Sequence, residues 1–231
     1  VSEYTKSDVV KFYNASPDKI DVCYSGVRDI FRPLSKSEKA IIRDKKTNGK
    51  NYFYYIGAVH PRKNVHRLIT AFDKFKKATG SDFKFVIAGR FAWQTGEVKS
   101  AYDAAKHKND IEFLGYVSDE DSPQLMAASH TVLFASQFEG FGVPIVESLN
   151  CELPVVTSNV SSMPEIAGEA AELFDPLDQD SIAQAMFSLL SSENRRSAFS
   201  LDGLKRAGEF SWEKTAAKTL EVIKQVTKNN L

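Results

Sequence analysis

Short β-forming runs separated by amphipathic helical patterns recur along most of this 231-residue chain, and that alternation narrows the fold more than any other feature. The runs are IDVCY (20–24), YFYYIG (52–57), FKFVIAG (83–89), IEFLG (111–115), TVLFA (131–135), PVVTS (154–158) and AELF (171–174). They lack the strict alternation of a sheet with one wet face, so both faces must be covered. Between them, NVHRLITAFDKFKKATG places Val65, Leu68, Ile69, Phe72 and Phe75 on one helical face, with Gly80 as its stop. SDEDSPQLMAAS opens with Ser118 three residues before Asp121, in the manner of a capping box. Strands covered on both faces and alternating with helices predict an α/β, Rossmann-like doubly wound parallel sheet. From Asp178 onward only helical patterns follow, and residues 2–14 also predict a helix.

In such a sheet ligands bind beyond the carboxyl ends of the strands. The loops there are GAVHPRKN, GRFAWQTG, GYVSDED, SQFEGFG and SNVSSMPE. Gly140 and Gly142 precede the helical run VPIVESLN, with Pro144 in its first turn. Free N–H groups at that helix start suit an anion, and Arg62 and Lys63 of PRKN are the cations to accompany them. The same run carries two carboxylates, Glu139 and Glu147. Aimed at a phosphate about 4 Å away, each would cost roughly 4 kcal/mol at an effective dielectric of 20. Their natural neutral partners are hydroxyls. A ligand with phosphates in its middle and a hydroxylated ring at each end, a nucleoside-diphosphate sugar, suits both glutamates. On spacing alone the pair reads equally as surface or capping carboxylates.

Thirty basic and thirty acidic side chains cancel, so no overall field draws the chain to nucleic acid. Cys23 and Cys151 form neither a disulfide framework nor a metal spacing, and fit a reducing compartment. No run approaches the roughly 20 apolar residues of a membrane span. Asp119–Asp121 and Asp178–Asp180 match a metal-binding D-x-D, but both stand where acidic residues cap helices. His60 is in the PRKN loop, while His66, His107 and His130 show no ligand spacing and read as structural. Trp93 borders the predicted site or packs on the core. No metal is expected.

SQFEGFGVPIVESLNCELPVVTSNVSSMPEIAGEAAELFDP resembles the signature region of the retaining glycosyltransferases of the GT-B fold, the group 1 (family 4) class. Glu139 to Glu147 matches their E-x7-E element. GAVHPRKNVHRLITAF is similar to the family's phosphate-binding loop, and IEFLGYVSDEDSPQLMAAS to its base-binding strand and helix. The resemblance runs from about Val1 to Ser211. It implies that residues 1–231 are the nucleotide-sugar (donor) binding domain, with the N-terminal acceptor-binding domain absent from this chain. Arg62 and Lys63 would contact the donor diphosphate, and Glu139 the transferred sugar beside the backbone of Gly140, Phe141 and Gly142. Glu147 would take the ribose hydroxyls, Tyr116 and Val117 would line the base pocket, and Gly57, the strand glycine, would be a further donor-binding position. Ala58 stands after Gly57 where many relatives carry Arg, which leaves one diphosphate cation missing or supplied by Arg62.

The resemblance further implies hexosyl transfer without metal or cofactor, from a nucleotide-sugar donor to a glycan or lipid-linked acceptor. GDP-mannose is the first expectation for the donor and UDP sugars the next. A cytoplasmic enzyme of polysaccharide or lipopolysaccharide assembly, in peripheral contact with the inner face of a membrane, is expected. Trp212 falls where such enzymes cross back toward their first domain. Too short for a two-domain cleft, the chain is expected to be part of a longer protein and not to transfer sugar alone. The competing expectation is an inert nucleotide-binding or regulatory module of the same fold, which would bind nucleotide and ignore the sugar ring. Sugar-nucleotide epimerases fit the motifs less well.

Overall fold

The computed structural model describes residues 1–92 and 95–228, so the expectation for Trp93 lies outside the described residues. Six strands form one sheet: β1 (Tyr52–Ile56), β2 (Lys84–Ala88), β3 (Ile111–Gly115), β4 (Thr131–Phe134), β5 (Val155–Ser158) and β6 (Ala171–Phe174). Every pairing is parallel and the order is β3-β2-β1-β4-β5-β6. The helices of the first half are α1 (Glu3–Tyr13), α2 (Lys36–Thr47), α3 (Val65–Thr79), α4 (Gly96–Ala104) and α5 (Asp121–Ala128). Those of the second are α6 (Val143–Asn150), α7 (Met163–Ala167), α8 (Gln179–Ser191), α9 (Glu193–Ala207) and α10 (Trp212–Lys228).

The sheet is doubly wound, as the sequence predicts, and β1 shows why its pattern does not alternate. Phe53 and Tyr55 pack on one side with Leu68, Phe72 and Phe75 of α3 and Ile182, Met186 and Leu189 of α8. Tyr52 and Tyr54 pack on the other with Leu125 and Met126 of α5. A third cluster joins Phe134 and Val155 to Ile145, Val146 and Leu149 of α6 and to Ala207 and Phe210. Each β1 residue from Tyr52 to Tyr55 is therefore apolar or aromatic, whichever face it takes. The Tyr52 hydroxyl escapes an unpaired burial by donating to the Leu125 carbonyl at 2.5 Å.

Residues 20–24 are not a strand. The end of the run docks on the start of α10 instead: Thr215 Oγ1 donates to the Tyr24 carbonyl at 2.6 Å, and just beyond it Val27 N–H donates to the carbonyl of Phe210, which precedes that helix, at 3.3 Å. The Tyr24 ring packs against Phe141 and Phe210, so the apolar content of this run serves docking rather than a ladder. Helix α2 is announced by its cap rather than by apolar periodicity. The Ser35 side chain accepts from Glu38 N–H, and Glu38 returns the bond to Ser35 N–H at 2.7 Å. The Ser118 cap is present too, accepting from Asp121 N–H at 3.1 Å.

Phe53 is fully buried at the centre of the sheet, with the rings of Phe75 and Phe83 each 5.0 Å away. Truncation there leaves a void that neighbours on a rigid sheet cannot fill. Phe53→Ala should lower unfolding free energy by about 3–5 kcal/mol, read as a drop in the urea midpoint with the slope unchanged.

A candidate donor site at the switch of the sheet

β1 lies between β2 and β4, and the chain winds outward from it in both directions. The loops that leave β1 and β4 therefore diverge and open a crevice between them. The first loop holds the PRKN stretch and the second holds Glu139, with Glu147 further on in α6.

The β1 loop is built before any ligand enters. Pro61–Lys63 forms a single 3-10 turn, capped by His60, whose Nδ1 accepts from Arg62 N–H at 3.2 Å. Asn64 follows with φ 60° and is buried. Its Nδ2 donates to the Pro176 carbonyl at 2.7 Å, and its Oδ1 accepts from Arg67 at 2.8 Å. Gly57 N–H donates to the Ala88 carbonyl. A Cβ on the facing Gly89 would come within 1.8 Å of the Gly57 carbonyl oxygen, so only glycine lets these two strand ends approach.

The β4 loop is clamped from the far side. Ser161 Oγ donates to the Glu139 carbonyl at 2.6 Å and accepts from Glu139 N–H at 3.0 Å. Ser162 Oγ donates to the carbonyls of Glu139 and Phe141. Ser2 and Thr5 of the α1 region donate to the Gly140 carbonyl at 2.6 and 3.0 Å. Gly142 then enters α6 with φ 100°, a conformation suited to glycine, and leaves the first N–H groups of α6 without a side-chain cap. Gln137 N–H donates to the Arg62 carbonyl at 2.9 Å, which ties the two loops together.

Within this frame Arg62, Lys63 and Glu139 meet. Lys63 Nζ stands 2.6 Å and Arg62 Nη1 2.8 Å from one Glu139 oxygen. Arg62 also donates to the Phe138 carbonyl, and Lys63 lies 5.1 Å over the Phe134 ring. Side-chain exposure is 15% for Lys63 and 12% for Glu139, against 41% for Arg62. Burial pushes the Glu139 carboxyl up, but Lys63, followed by Ser136 and then Arg62, outweighs it and holds the group below the usual carboxylate range. Glu139 is thus a fixed negative charge beside two positive ones.

Glu147 occupies a different neighbourhood. It lies on α6 with its side chain 10% exposed, facing Arg28 Nη2 at 3.8 Å, and Arg28 Nη1 in turn is 3.4 Å from Asp119. Burial pushes the Glu147 carboxyl up to about 7; Asp119 adds to the rise and Arg28 opposes it. Arg28 comes from the stretch before α2, far from both glutamates in sequence, and no motif marks it. Nearby, Gly57, Ala58, Gly89, Arg90, Tyr116 and Val117 line a cavity of about 450 Å³. Tyr116 is 65% exposed there, with the Arg90 guanidinium 4.7 Å over its ring. The Gly-Arg that is missing after β1 is present after β2, as Gly89-Arg90, and Arg90 is the second residue motif spacing overlooks.

The remaining expected groups have structural partners. Asp119 pairs with Arg28, Asp178 caps α8 by accepting from Asp180 N–H, and Asp180 pairs with Lys74 at 2.7 Å. His66 lies 3.6 Å from Glu97, and His107 2.8 Å from Asp73. Among the described residues no three His, Cys, Asp or Glu side chains are grouped to hold a metal, and no helix is long and apolar enough to cross a membrane.

A family model described as glycosyl transferases group 1 matches residues 36–206, a stretch that includes both loops of the crevice. The O-antigen chain mannosyltransferase B of Escherichia coli is 32% identical over 225 residues, covering 97% of this chain and 59% of that protein. A glycosyltransferase from Rickettsia africae ESF-5 has the same fold, with a TM-score of 0.86 at 22% identity over 99% of this chain and 63% of that one. Anabaena Alr3699/HepE, solved with UDP and glucose, gives a TM-score of 0.84 at 19% identity over 98% of this chain and 61% of that one. The chain spans about three fifths of the length of these proteins.

Because Glu147 binds its proton more tightly in the folded state, its charged form opposes folding. That cost is absent below pH 4.5, grows as pH rises toward 7 and is constant above it. Glu147→Gln should therefore raise the melting temperature at pH 8, by the equivalent of roughly 1–3 kcal/mol, and lose that advantage by pH 4.5. Thermal melts of both proteins across this range check the sign.

Proposed function

Since this chain belongs to the glycosyl transferases of group 1, we propose that it is the donor-binding half of a retaining hexosyltransferase, moving a sugar from a nucleoside-diphosphate sugar to a glycan or lipid-linked acceptor without a metal. The observation that carries this reading is the Arg62–Lys63–Glu139 cluster beside the N-terminus of α6. Two cations and a helix start suit a diphosphate, and the carboxylate among them suits the sugar attached to it. In the free protein Glu139 occupies the cations. On donor binding the phosphate oxygens take Arg62 and Lys63, each charge-assisted bond contributing roughly 1.5–3 kcal/mol. Glu139, released but still ionised, turns to the hydroxyls of the sugar.

As the anomeric bond breaks, negative charge gathers on the leaving diphosphate, where Arg62, Lys63 and the backbone N–H groups that follow Gly142 are already oriented. Positive character grows on the sugar ring, and a fixed carboxylate at Glu139 favours it. Glu147 takes the ribose hydroxyls, and the base enters the cavity of Gly57, Tyr116 and Val117, with Arg90 and Tyr116 as its stacking surface. The E. coli relative is named a mannosyltransferase, which supports mannose as the sugar and GDP-mannose as the first donor to test. UDP-glucose is the next, supported by the ligands of the Anabaena structure.

Acceptor binding belongs to a separate domain, which meets α10 along its half-exposed Trp212, Leu220, Ile223 and Val226. Transfer needs that domain, and the complete protein works at the inner, cytoplasmic face of a membrane.

Calorimetric titration with GDP, UDP, GDP-mannose and UDP-glucose tests the donor. One nucleotide should bind selectively, and Arg62→Ala/Lys63→Ala should weaken it at least tenfold. Equal binding to wild type and variant would remove the diphosphate role. Affinity should also fall as pH drops through 7, when Glu147 gains a proton and stops accepting from two hydroxyls. Glu147→Gln should flatten that profile.

A further inference from the structure

A cavity of about 480 Å³ opens at the other end of the sheet, where β4 and β5 begin. Ser129 and His130, immediately before β4, and Leu153 and Pro154, before β5, form its floor. Lys39 and Arg43, one turn apart on α2, make one wall, and Arg196 of α9 the other. The four residues of β4, about 13 Å of strand, separate it from the crevice.

Three half-buried cations thus face one space, and among the described residues none has a carboxylate oxygen within 4.0 Å. Glu152 and Glu193 stand exposed at the rim. Arg43 Nε donates to the Ala128 carbonyl at 2.7 Å, and Arg196 Nη1 to the Leu189 carbonyl at 2.7 Å. These bonds cap the ends of α5 and α8 and pin both guanidinium planes, leaving other N–H groups of each to spare. Helix capping accounts for the arginines. It does not account for Lys39, which stands one turn from a like charge. Nor does it account for Ser129 Oγ and His130 Nε2, both buried without a hydrogen-bond partner. Burial, then repulsion from Arg43, pushes the Lys39 ammonium down. Burial, then Arg196 and Arg43, pushes the His130 imidazole down to about 4, so the ring is neutral at pH 7 and can present an N–H.

Apart from the exposed carboxylates of Glu152 and Glu193, every unused side-chain group named on these walls and this floor can donate a hydrogen bond, and an ionised oxyanion only accepts them. We propose that this cavity is a second anion site, distinct from the crevice, that takes a phosphate-class oxyanion through Lys39, Arg43 and Arg196 with Ser129 and His130 as neutral donors. Free inorganic phosphate and the phosphate of an anionic lipid headgroup present the same oxygens.

Titration of the ¹⁵N-labelled chain with inorganic phosphate, followed by NMR at the amides of Ser129 and His130, tests the site. Both amides should shift saturably. Lys39→Met should weaken binding at least tenfold and Lys39→Arg should restore it; neither substitution removes a helix cap. Arg62→Ala/Lys63→Ala should leave the shifts at Ser129 and His130 intact while removing any at Gly142, which keeps this site separable from the donor reading. Flotation with phosphatidylcholine vesicles, with and without phosphatidylglycerol, then identifies the source. Uptake only by the anionic vesicles, reversed by phosphate, assigns a lipid headgroup, and phosphate binding without uptake assigns a soluble anion. Absence of saturable shifts at Ser129 and His130, or shifts indifferent to Lys39→Met, would overturn the proposal.

Discussion

The parallel register of β1 with both β2 and β4 is the constraint on which the rest depends. Parallel pairing needs a long crossover between strands, and the crossovers of this chain supply helices to both faces. That covering is why β1 can be apolar at consecutive positions, and why the polar side chains of the crevice come from loops. It also fixes where the chain can be open. From β1 the sheet grows through β2 to β3 on one side and through β4 to β6 on the other, so the loops leaving β1 and β4 part from each other. Arg62, Lys63 and Glu139 meet there because this is where a doubly wound sheet cannot cover its own edge.

A crevice made of helix starts and cations would carry a strong positive potential if left to itself. Glu139 lowers it. Its contact with Lys63 pairs two largely buried charges that would otherwise meet the cost of desolvation alone, and the more exposed Arg62 adds a second contact. A carboxylate in a site suited to anions is therefore no contradiction: it stabilises the empty site and is itself kept ionised. The serines of the loop after β5 hold its backbone from behind, so its position does not depend on the ion pair. Glu147, eight residues on, is treated in the opposite way. Burial dominates, its nearest cation is 3.8 Å away, and its carboxyl rises while that of Glu139 falls. Two residues of the same chemistry are thus separated in role by what surrounds them.

The alternation of strand and helix, the doubly wound class, the helix face of Val65 to Phe75 and the Ser118 cap were legible in the sequence because each rests on contacts within a turn or on a local period. So were Arg62, Lys63 and the E-x7-E glutamates, since neighbouring positions and the family resemblance mark them. Residues 20–24 were misread for a physical reason: an apolar run says that a segment will be buried, but only the tertiary neighbours say whether a strand or a helix end receives its backbone. Helix α2 was obscured by its weak apolar stripe, although Ser35 and Glu38 carried its signature.

The sequence by itself determined the elements, the class of fold and the residue types available at the strand ends, because backbone sterics and hydrophobic period act over a few residues. Only the tertiary structure decided their partners. Arg28 reaches Glu147 across 119 positions, Ser161 clamps Glu139 across 22, and Glu165 accepts the first backbone N–H groups of α1 across more than 160. Lys39, Arg43 and Arg196 likewise face one cavity only because α2 and α9 pack at the same end of the sheet. Charge and hydrogen bonding depend on distances of a few ångströms, and separation along the chain carries no record of them.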